Sequence, residues 1–511
     1  PGPGGPADYL EKLAKARARR EAAERSLAEK SVSYRVLATE RQVGLDTLLT
    51  TLPKATALVS YAIFDRISDP PTDGDPLKTS IRTTPTYMAF VFAPGQAVQA
   101  RLLGGASEID KLVESWRGYA GAVPAGLPPS QAESERSARS AGETLRQRVW
   151  GPLQPYLKGV KQAFIIPDGA LHLVNFSALP AGGNRYLLEE GPRFHYLSAE
   201  RDLASSPPKG DALEHALILG GPDFDRRLAA TASRAALDPR KAPPAVPTRG
   251  TSPGTPQSSP SACEQFHSAR FESLPGSRDG ADALAKLLRK GARNRSSDTA
   301  FNVQQRTGVE ADEKSFKDLA RSSTLLHVAT HGFFLVGHCI SGVSEARRMA
   351  REGRIAGQEP KPALGESPLL LSGLALAGAN QRLDGTSCQS CDDGILTAEE
   401  IASLDLSGVD WAVLSSCDTG VGRIQTGEGV LGLRRAFHVA GAKTLIMSLW
   451  KVDDASTREW MSYLYEARLQ GMSTAEAVQN AGLTLLRQRR SRGKSTHPFY
   501  WGAFVAAGDW R

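Results

Sequence analysis

The sequence predicts an α/β fold built on a mostly parallel β-sheet flanked by helices. Two observations carry the prediction. Apolar, β-branched runs of strand length alternate with amphipathic helical stretches over most of the chain. Three of the runs, TLLHVA at 324–329, WAVLS at 411–415 and TLIMSLW at 444–450, are apolar almost throughout, as strands covered on both faces are. At roughly 100–200 residues per domain, a chain of 511 residues holds two to four domains. The pattern divides it into a charged helical segment over 1–48, an α/β half over 49–205 and a second α/β half over 206–511. The second half is swollen by insertions at about 223–275 and 336–393.

Residues 8–48 are rich in Ala, Leu, Glu, Lys and Arg, and no proline follows until Pro53, which predicts a long charged helix. One copy does not establish a repeat. ALVSYAIFD at 57–65 and YMAFVFAP at 87–94 are apolar, aromatic and β-branched and predict strands, with 98–103 closing a hairpin after Pro94-Gly95. Helices are expected at 107–119 and 133–150. A strand at 162–166 ends in the turn Pro167-Asp168-Gly169, and extended structure is expected to resume over 171–179. ALILG at 216–220 opens the second half, and the stretch at 223–275, rich in Pro, Ser, Arg and Ala, reads as a loop-like insertion. After it come a helix at 280–290, a strand at 300–305, a helix near 310–320 and the buried strand at 324–329. The second insertion contains an apolar stretch at 369–377. The strands at 411–415 and 444–450 alternate with helices near 429–439, 456–469 and 474–488, and 500–507 is a last apolar segment.

Composition excludes several classes. With 41% hydrophobic and 23% charged residues, the chain is not intrinsically disordered as a whole. No apolar run approaches the roughly 18–20 residues that span a bilayer, and the N-terminal stretch lacks the apolar core of a signal peptide. Five cysteines in 511 residues argue against a disulfide scaffold and for a reducing, cytoplasmic compartment. The chain starts at Pro1 rather than Met, the mark of a fragment or a processed form. The net charge of +7 is spread over the chain, and Arg17–Arg20, Arg434-Arg435 and Arg487–Arg492 read as solvated helix faces rather than a nucleic-acid surface.

In open parallel sheets, active residues gather just past the C-terminal ends of strands. TLLHVA runs into Thr330-His331-Gly332, and WAVLS runs into Ser416-Cys417-Asp418-Thr419-Gly420. Singly, a cysteine at a strand end is a small hydrophobe and a histidine beside a strand is a satisfied polar residue. Together, at the same rim and each with a glycine nearby, they make a nucleophile and its base. The backbone N–H groups of Gly332 and Cys417 are the candidate oxyanion donors.

Here the sequence resembles a known family. ATHGFF and LSSCDTG, followed by GEGVLGLRRAFHVAGAKTLIMSLWKVDDAS, are similar to the CHAT domain, a branch of the caspase-like cysteine peptidases that include separase, caspases and metacaspases. IIPDGALHLVNFSALP, DDGILTAEEIASLDL and HPFYWGAFVAAGD extend the resemblance over roughly 50–511, apart from the insertions. The resemblance implies a caspase-like sheet in the second half, preceded by a degenerate, pseudo-caspase half, with Cys417 as nucleophile and His331 as catalytic base. His327, inside the strand, is then a core histidine. In separase-like relatives an aspartate in Leu-Trp-x-Val-x-Asp receives a basic P1 side chain, and Asp454 matches it in LWKVDD, with Lys451 a departure. Asp454 and Asp418 are the candidate substrate-binding residues, and the alternative for Asp454 is a cap on the helix expected from Ser456. The partners implied are a protein substrate and either an upstream tetratricopeptide-repeat domain of a longer chain or a regulatory protein. The implied setting is prokaryotic defence or programmed cell death, for instance activation of an effector such as a gasdermin. The competing class is a catalytically silent caspase-like scaffold that signals through protein contacts.

Two further motifs compete for attention. Gly427-x-Gly429-x-x-Gly432 matches the dinucleotide fingerprint in letters only, since no strand immediately precedes it. Cys388-x-x-Cys391, with His338 and Cys339, supplies four ligands for a structural zinc, but the adjacency of His338 and Cys339 strains a tetrahedral site. A reversible disulfide or free loop cysteines are the simpler alternatives. No cofactor is called for.

Overall fold

The computed structural model describes residues 44–68, 82–124, 130–203, 214–226, 270–293, 302–334, 372–384, 392–415, 417–418 and 428–511. Residues 8–43 of the helix expected over 8–48, residues 227–269 of the insertion at 223–275, residues 335–371, and Cys263, His338, Cys339, Cys388 and Cys391 lie outside them.

Helix α1 (Leu45–Thr51) buries Leu48 against Leu52, Leu58 and Phe164. Strands β1 (Thr56–Ser68), β2 (Arg82–Phe92) and β3 (Gln99–Gly105) form an antiparallel meander whose β-branched and aromatic residues favour the pleated surface. Helices α2 (Ala106–Ala120) and α3 (Ser130–Val149) follow, and β4 (Gln162–Ile166), buried throughout, pairs parallel with β1. The stretch expected to be extended over 171–179 is instead two single 3₁₀ turns, Gly169–Leu173 and Phe176–Ala178. Asp168 and Asn175 accept hydrogen bonds from the Gly169 and Ser177 amides, which closes local turns in place of a strand. Gly169 has φ 52°, and a Cβ there would lie 2.4 Å from the Tyr87 hydroxyl, so only glycine fits. The apolar residues still bury their side chains, which is why the pattern imitated a strand. A small pair, β5 (Pro180–Gly182) and β6 (Arg185–Tyr186), precedes β7 (Arg193–Tyr196), whose short RFHY sequence carries no strand signal.

The second half contributes β8 (His215–Pro222), α4 (Pro275–Arg293), β9 (Asn302–Gly308), α5 (Glu313–Ala320), β10 (Leu325–Ala329), β11 (His331–Phe334), β12 (Ser372–Ala375) and β13 (Ile395–Thr397). Then come α6 (Ala398–Ala402), β14 (Trp411–Leu414), β15 (Cys417–Asp418), α7 (Glu428–Val439), β16 (Thr444–Ser448), α8 (Asp454–Leu469), α9 (Thr474–Ser491) and β17 (Phe504–Gly508). Gly429 and Gly432 thus fall inside α7, not in a strand-to-helix turn.

Eleven strands form one sheet in the order β3-β2-β1-β4-β7-β17-β16-β14-β10-β8-β9. All neighbours are parallel except β3–β2, β2–β1 and β17–β16. The last strand joins the two halves: β17 runs antiparallel to β16 (Ile446 opposite Ala506) and parallel to β7 (Ala507 opposite Tyr196). Asn175 locks the seam by donating to the Gly502 and Phe504 carbonyls at 2.8 and 3.2 Å. One buried cluster runs through both halves, from Val59 and Ile165 to Leu217, Val413 and Ile446.

This core holds histidines that must stay neutral. Burial pushes His172, His195, His327 and His497 down from 6.5 to about 4. The unfolded chain binds these protons near pH 6.5 and the fold does not. The stability each contributes is therefore complete above pH 6.5 and is lost as pH falls toward 4, by up to about 3 kcal/mol each. Denaturant unfolding followed from pH 7 to pH 4 should show this loss, and His195→Gln should reduce its slope. A stability independent of pH in that window would contradict the assignment.

Candidate active site

Two adjacent parallel strands of the large sheet, β10 and β14, each continue past its edge into a second, four-stranded sheet of order β13-β12-β11-β15. The interior strand β10 is buried over its whole length, as its apolar LLHVA sequence dictates. At its end the Thr330 hydroxyl donates to the Ala375 carbonyl, and the chain turns into β11. There His331 pairs with Ala375 on β12 and with Cys417 on β15, and Gly332 pairs with Leu374 and Asp418. The offset between partners is the same before and after the break: His327 opposite Val413, His331 opposite Cys417. Parallel neighbours lie about 4.8 Å apart, so the backbone register makes the histidine and the cysteine lateral neighbours.

The return of the second insertion to this small sheet is anchored by charge. Glu313, buried at the start of α5, accepts from the Gly394 amide at 2.6 Å and pairs with Lys317 at 2.7 Å. Lys317 also reaches Asp392 and Glu400, at 2.9 and 3.3 Å. Burial pushes the Glu313 carboxyl up to about 7, against the pull of Lys317.

His331 is half-buried beneath a strap of residues 270–274 that leads into α4. Its Nε2 lies 2.8 Å from the Glu272 carbonyl. A carbonyl only accepts, so Nε2 carries the proton and Nδ1 is the basic nitrogen. Phe224 and Phe271 lie against the ring, with centroids 5.2 and 5.7 Å away. This burial lowers the His331 pKa below 6.5; the Glu272 carbonyl opposes the shift and the Lys451 charge adds to it. Nothing local in the sequence marks Phe271 or Glu272, which lie near the end of the stretch at 223–275 that reads as a loop-like insertion.

A cavity of about 420 Å³ opens beside His331, walled by the strap, α4 and α8 and lined by Ser415, Lys451 and Asp454 among others. The helix expected from Ser456 begins two residues earlier, because Asp453 is its cap: the Asp453 carboxylate accepts from the Ser456 amide at 2.8 Å. Asp454 is therefore not the cap. It is exposed, and it faces the cavity against Gly276, where a Cβ would lie 2.0 Å from Asp454 Oδ2. The preceding turn is held from the first half, where Arg117 donates to the Leu449 carbonyl at 3.1 Å and Trp116 meets Trp450 edge-on at 5.6 Å. His327 is a core residue, 4% exposed, with Nδ1 3.0 Å from the Tyr465 hydroxyl, and its edge reaches the cavity. Asp418 lies on β15, opposite Gly332 in the backbone register. Among the described residues, no three or more His, Cys, Asp and Glu side chains are grouped to hold a metal ion, and no helix is long and apolar enough to cross a membrane.

The sequence matches the family model of the CHAT domain over residues 139–509. The chain belongs to the CHAT domain family. The match covers the strap, the four-stranded sheet and the large sheet from β4 to β17, so it includes β4 and β7 of the first half as well as the second, while β1, β2 and β3 lie before it. Among curated proteins, the chain is 30% identical over 124 residues to tetratricopeptide repeat protein 28 of Mus musculus and 30% identical over 129 residues to its Homo sapiens counterpart. These matches span 24% and 25% of the chain and 5% of each relative. Among solved structures, the separase–securin complex of Saccharomyces cerevisiae aligns with a TM-score of 0.44 at 9% identity, over 93% of this chain and 31% of that one. The Arg-specific cysteine proteinase gingipain R aligns with a TM-score of 0.35 at 10% identity, over 79% and 74%.

Proposed function

We propose that this CHAT domain is a cysteine endopeptidase in which Cys417 is the nucleophile and His331 its acid/base partner. The observation that carries the reading is the register of β11 on β15, in which His331 is the backbone partner of Cys417, together with the cavity that His331 lines. In the proposed cycle, Nδ1 of His331 takes the Cys417 thiol proton, and the thiolate attacks the scissile carbonyl. The tetrahedral oxyanion is held by the Gly332 and Cys417 amides. His331 then returns the proton to the leaving amine, and water hydrolyses the thioester to release the acid and regenerate the thiol.

The substrate is a protein cut after a basic residue. Asp454 supports this preference: it faces the cavity, and Asp453 relieves it of capping α8. The repeat-protein names of the curated relatives support an upstream repeat domain, and the family resemblance supports a regulated defence or cell-death setting. A fluorogenic panel with Arg, Lys, Asp, Leu and Met at P1 tests the reading. Cleavage after Arg and Lys is expected, and a preference for Asp or an apolar residue would remove the basic-P1 assignment.

The pH profile gives a separate check. His331 must be unprotonated to accept the thiol proton, and its pKa is lowered chiefly by burial. The acid limb of kcat/KM should therefore fall below pH 6.5, with activity rising as pH rises through it. Lys451→Gln removes a nearby positive charge that disfavours the imidazolium, so the acid limb should move to higher pH. A shift to lower pH would contradict the arrangement.

A further inference from the structure

The strap over His331 is held by one asparagine. Asn380 lies just beyond β12, in the 3₁₀ turn Ala379–Asp384, and is 5% exposed. Its Oδ1 accepts from the Phe271 amide at 2.8 Å, while its Nδ2 donates to the Phe271 carbonyl at 3.0 Å and to Asp225 at 2.8 Å. Both Nδ2 protons and the Oδ1 acceptor are thereby used. One side chain thus grips both backbone groups of Phe271, as a neighbouring strand would. Its own amide donates to the Phe224 carbonyl at 2.9 Å, and Asp225 closes the ring by pairing with Arg270 at 2.8 Å.

The next residue along the strap is Glu272, whose carbonyl accepts the hydrogen bond from His331 Nε2, and the rings of Phe224 and Phe271 lie against His331. Asn380 therefore binds both segments that enclose the imidazole. It also follows β12, whose Ala375 is the register partner of His331.

We infer that Asn380 is a positioning residue for His331: by fixing the Phe271 peptide it aims the Glu272 carbonyl at Nε2, which holds the imidazole in the tautomer whose Nδ1 is the base. The catalytic consequence rests on the peptidase reading; the effect on the tautomer does not. Aspartate at 380 has the same size and still accepts from the Phe271 amide. It cannot, when ionised, donate to the Phe271 carbonyl, and it sets a second carboxylate against Asp225. Alanine removes the grip entirely.

The test uses the 511-residue chain labelled with ¹⁵N-histidine, in wild type, Asn380→Asp and Asn380→Ala, with His331→Gln to assign the signal. Wild type should show His331 as one neutral tautomer protonated at Nε2. Both Asn380 variants should show exchange between tautomers, with kcat for peptide cleavage lower by about 100-fold and KM little changed, as a misplaced reacting group costs. Should Asn380→Ala not fold, the isosteric Asn380→Asp decides. A folded variant that keeps the single Nε2–H tautomer overturns the inference, whatever its activity. Exchange in the variants of a protein that cleaves no peptide upholds the positioning role and removes the peptidase reading instead.

Discussion

Cys417→Ala and His331→Ala should each lower kcat/KM for a cleaved peptide by about 10⁴-fold or more, the scale on which nucleophile and base act in acyl transfer. The double variant should be no worse than either single one, because nucleophile and base work as a unit and neither retains its function alone. Folding should survive the change at His331. That side chain is half-buried at the start of β11 and lies outside the buried apolar cluster that spans both halves. The melting temperature of His331→Ala should therefore stay within a few degrees of wild type. Multiplying losses in the double variant, or full activity in either single variant, would separate the two residues and end the dyad.

Asp454→Asn should lower kcat/KM for substrates with Arg or Lys at P1 by about 10²–10³-fold while leaving apolar P1 substrates nearly unchanged, since losing one partner of a charge-assisted contact costs about 2–5 kcal/mol. The neighbouring carboxylate provides the control. Asp453 caps α8 through the Ser456 amide, so Asp453→Ala should cost about 1 kcal/mol of stability and leave the P1 preference intact. The two measurements thereby separate the capping role of Asp453 from the selective role proposed for Asp454. An unchanged preference in Asp454→Asn would mean that the cavity recognises P1 by another group.

The parts of the fold legible in the sequence are those with local periodicity. Buried parallel strands announce themselves as unbroken apolar runs, and β4, β10, β14 and β16 begin within a residue or two of where those runs do. The positions of His331 and Cys417 were legible for a related reason: each follows such a run within a few residues, and the motif around each is specific to a family. The split into two sheets was not legible, because β11 and β15 are short and take their order from pairing, not composition. Nor was the role of β17, whose FVAAG sequence says only that it is apolar; its place between β7 and β16 depends on partners far away in the chain. The strap failed for the same reason. Its contacts link residues 59 and 109 positions apart, and an asparagine after an apolar run reads locally as a turn residue. Asp454 shows the converse case, in which the local cap rule was sound but belonged to the residue before it.

The proposed identity of the nucleophile can be measured directly. A peptidyl chloromethyl ketone with arginine at P1 alkylates an activated thiolate held beside a base, and peptide mapping by mass spectrometry locates the adduct. The predicted result is one adduct, on Cys417, in wild type and its loss in His331→Ala. An adduct on Cys263 or Cys388 in place of Cys417, or cleavage activity that survives with Cys417 unmodified, would contradict the assignment of Cys417 as the nucleophile.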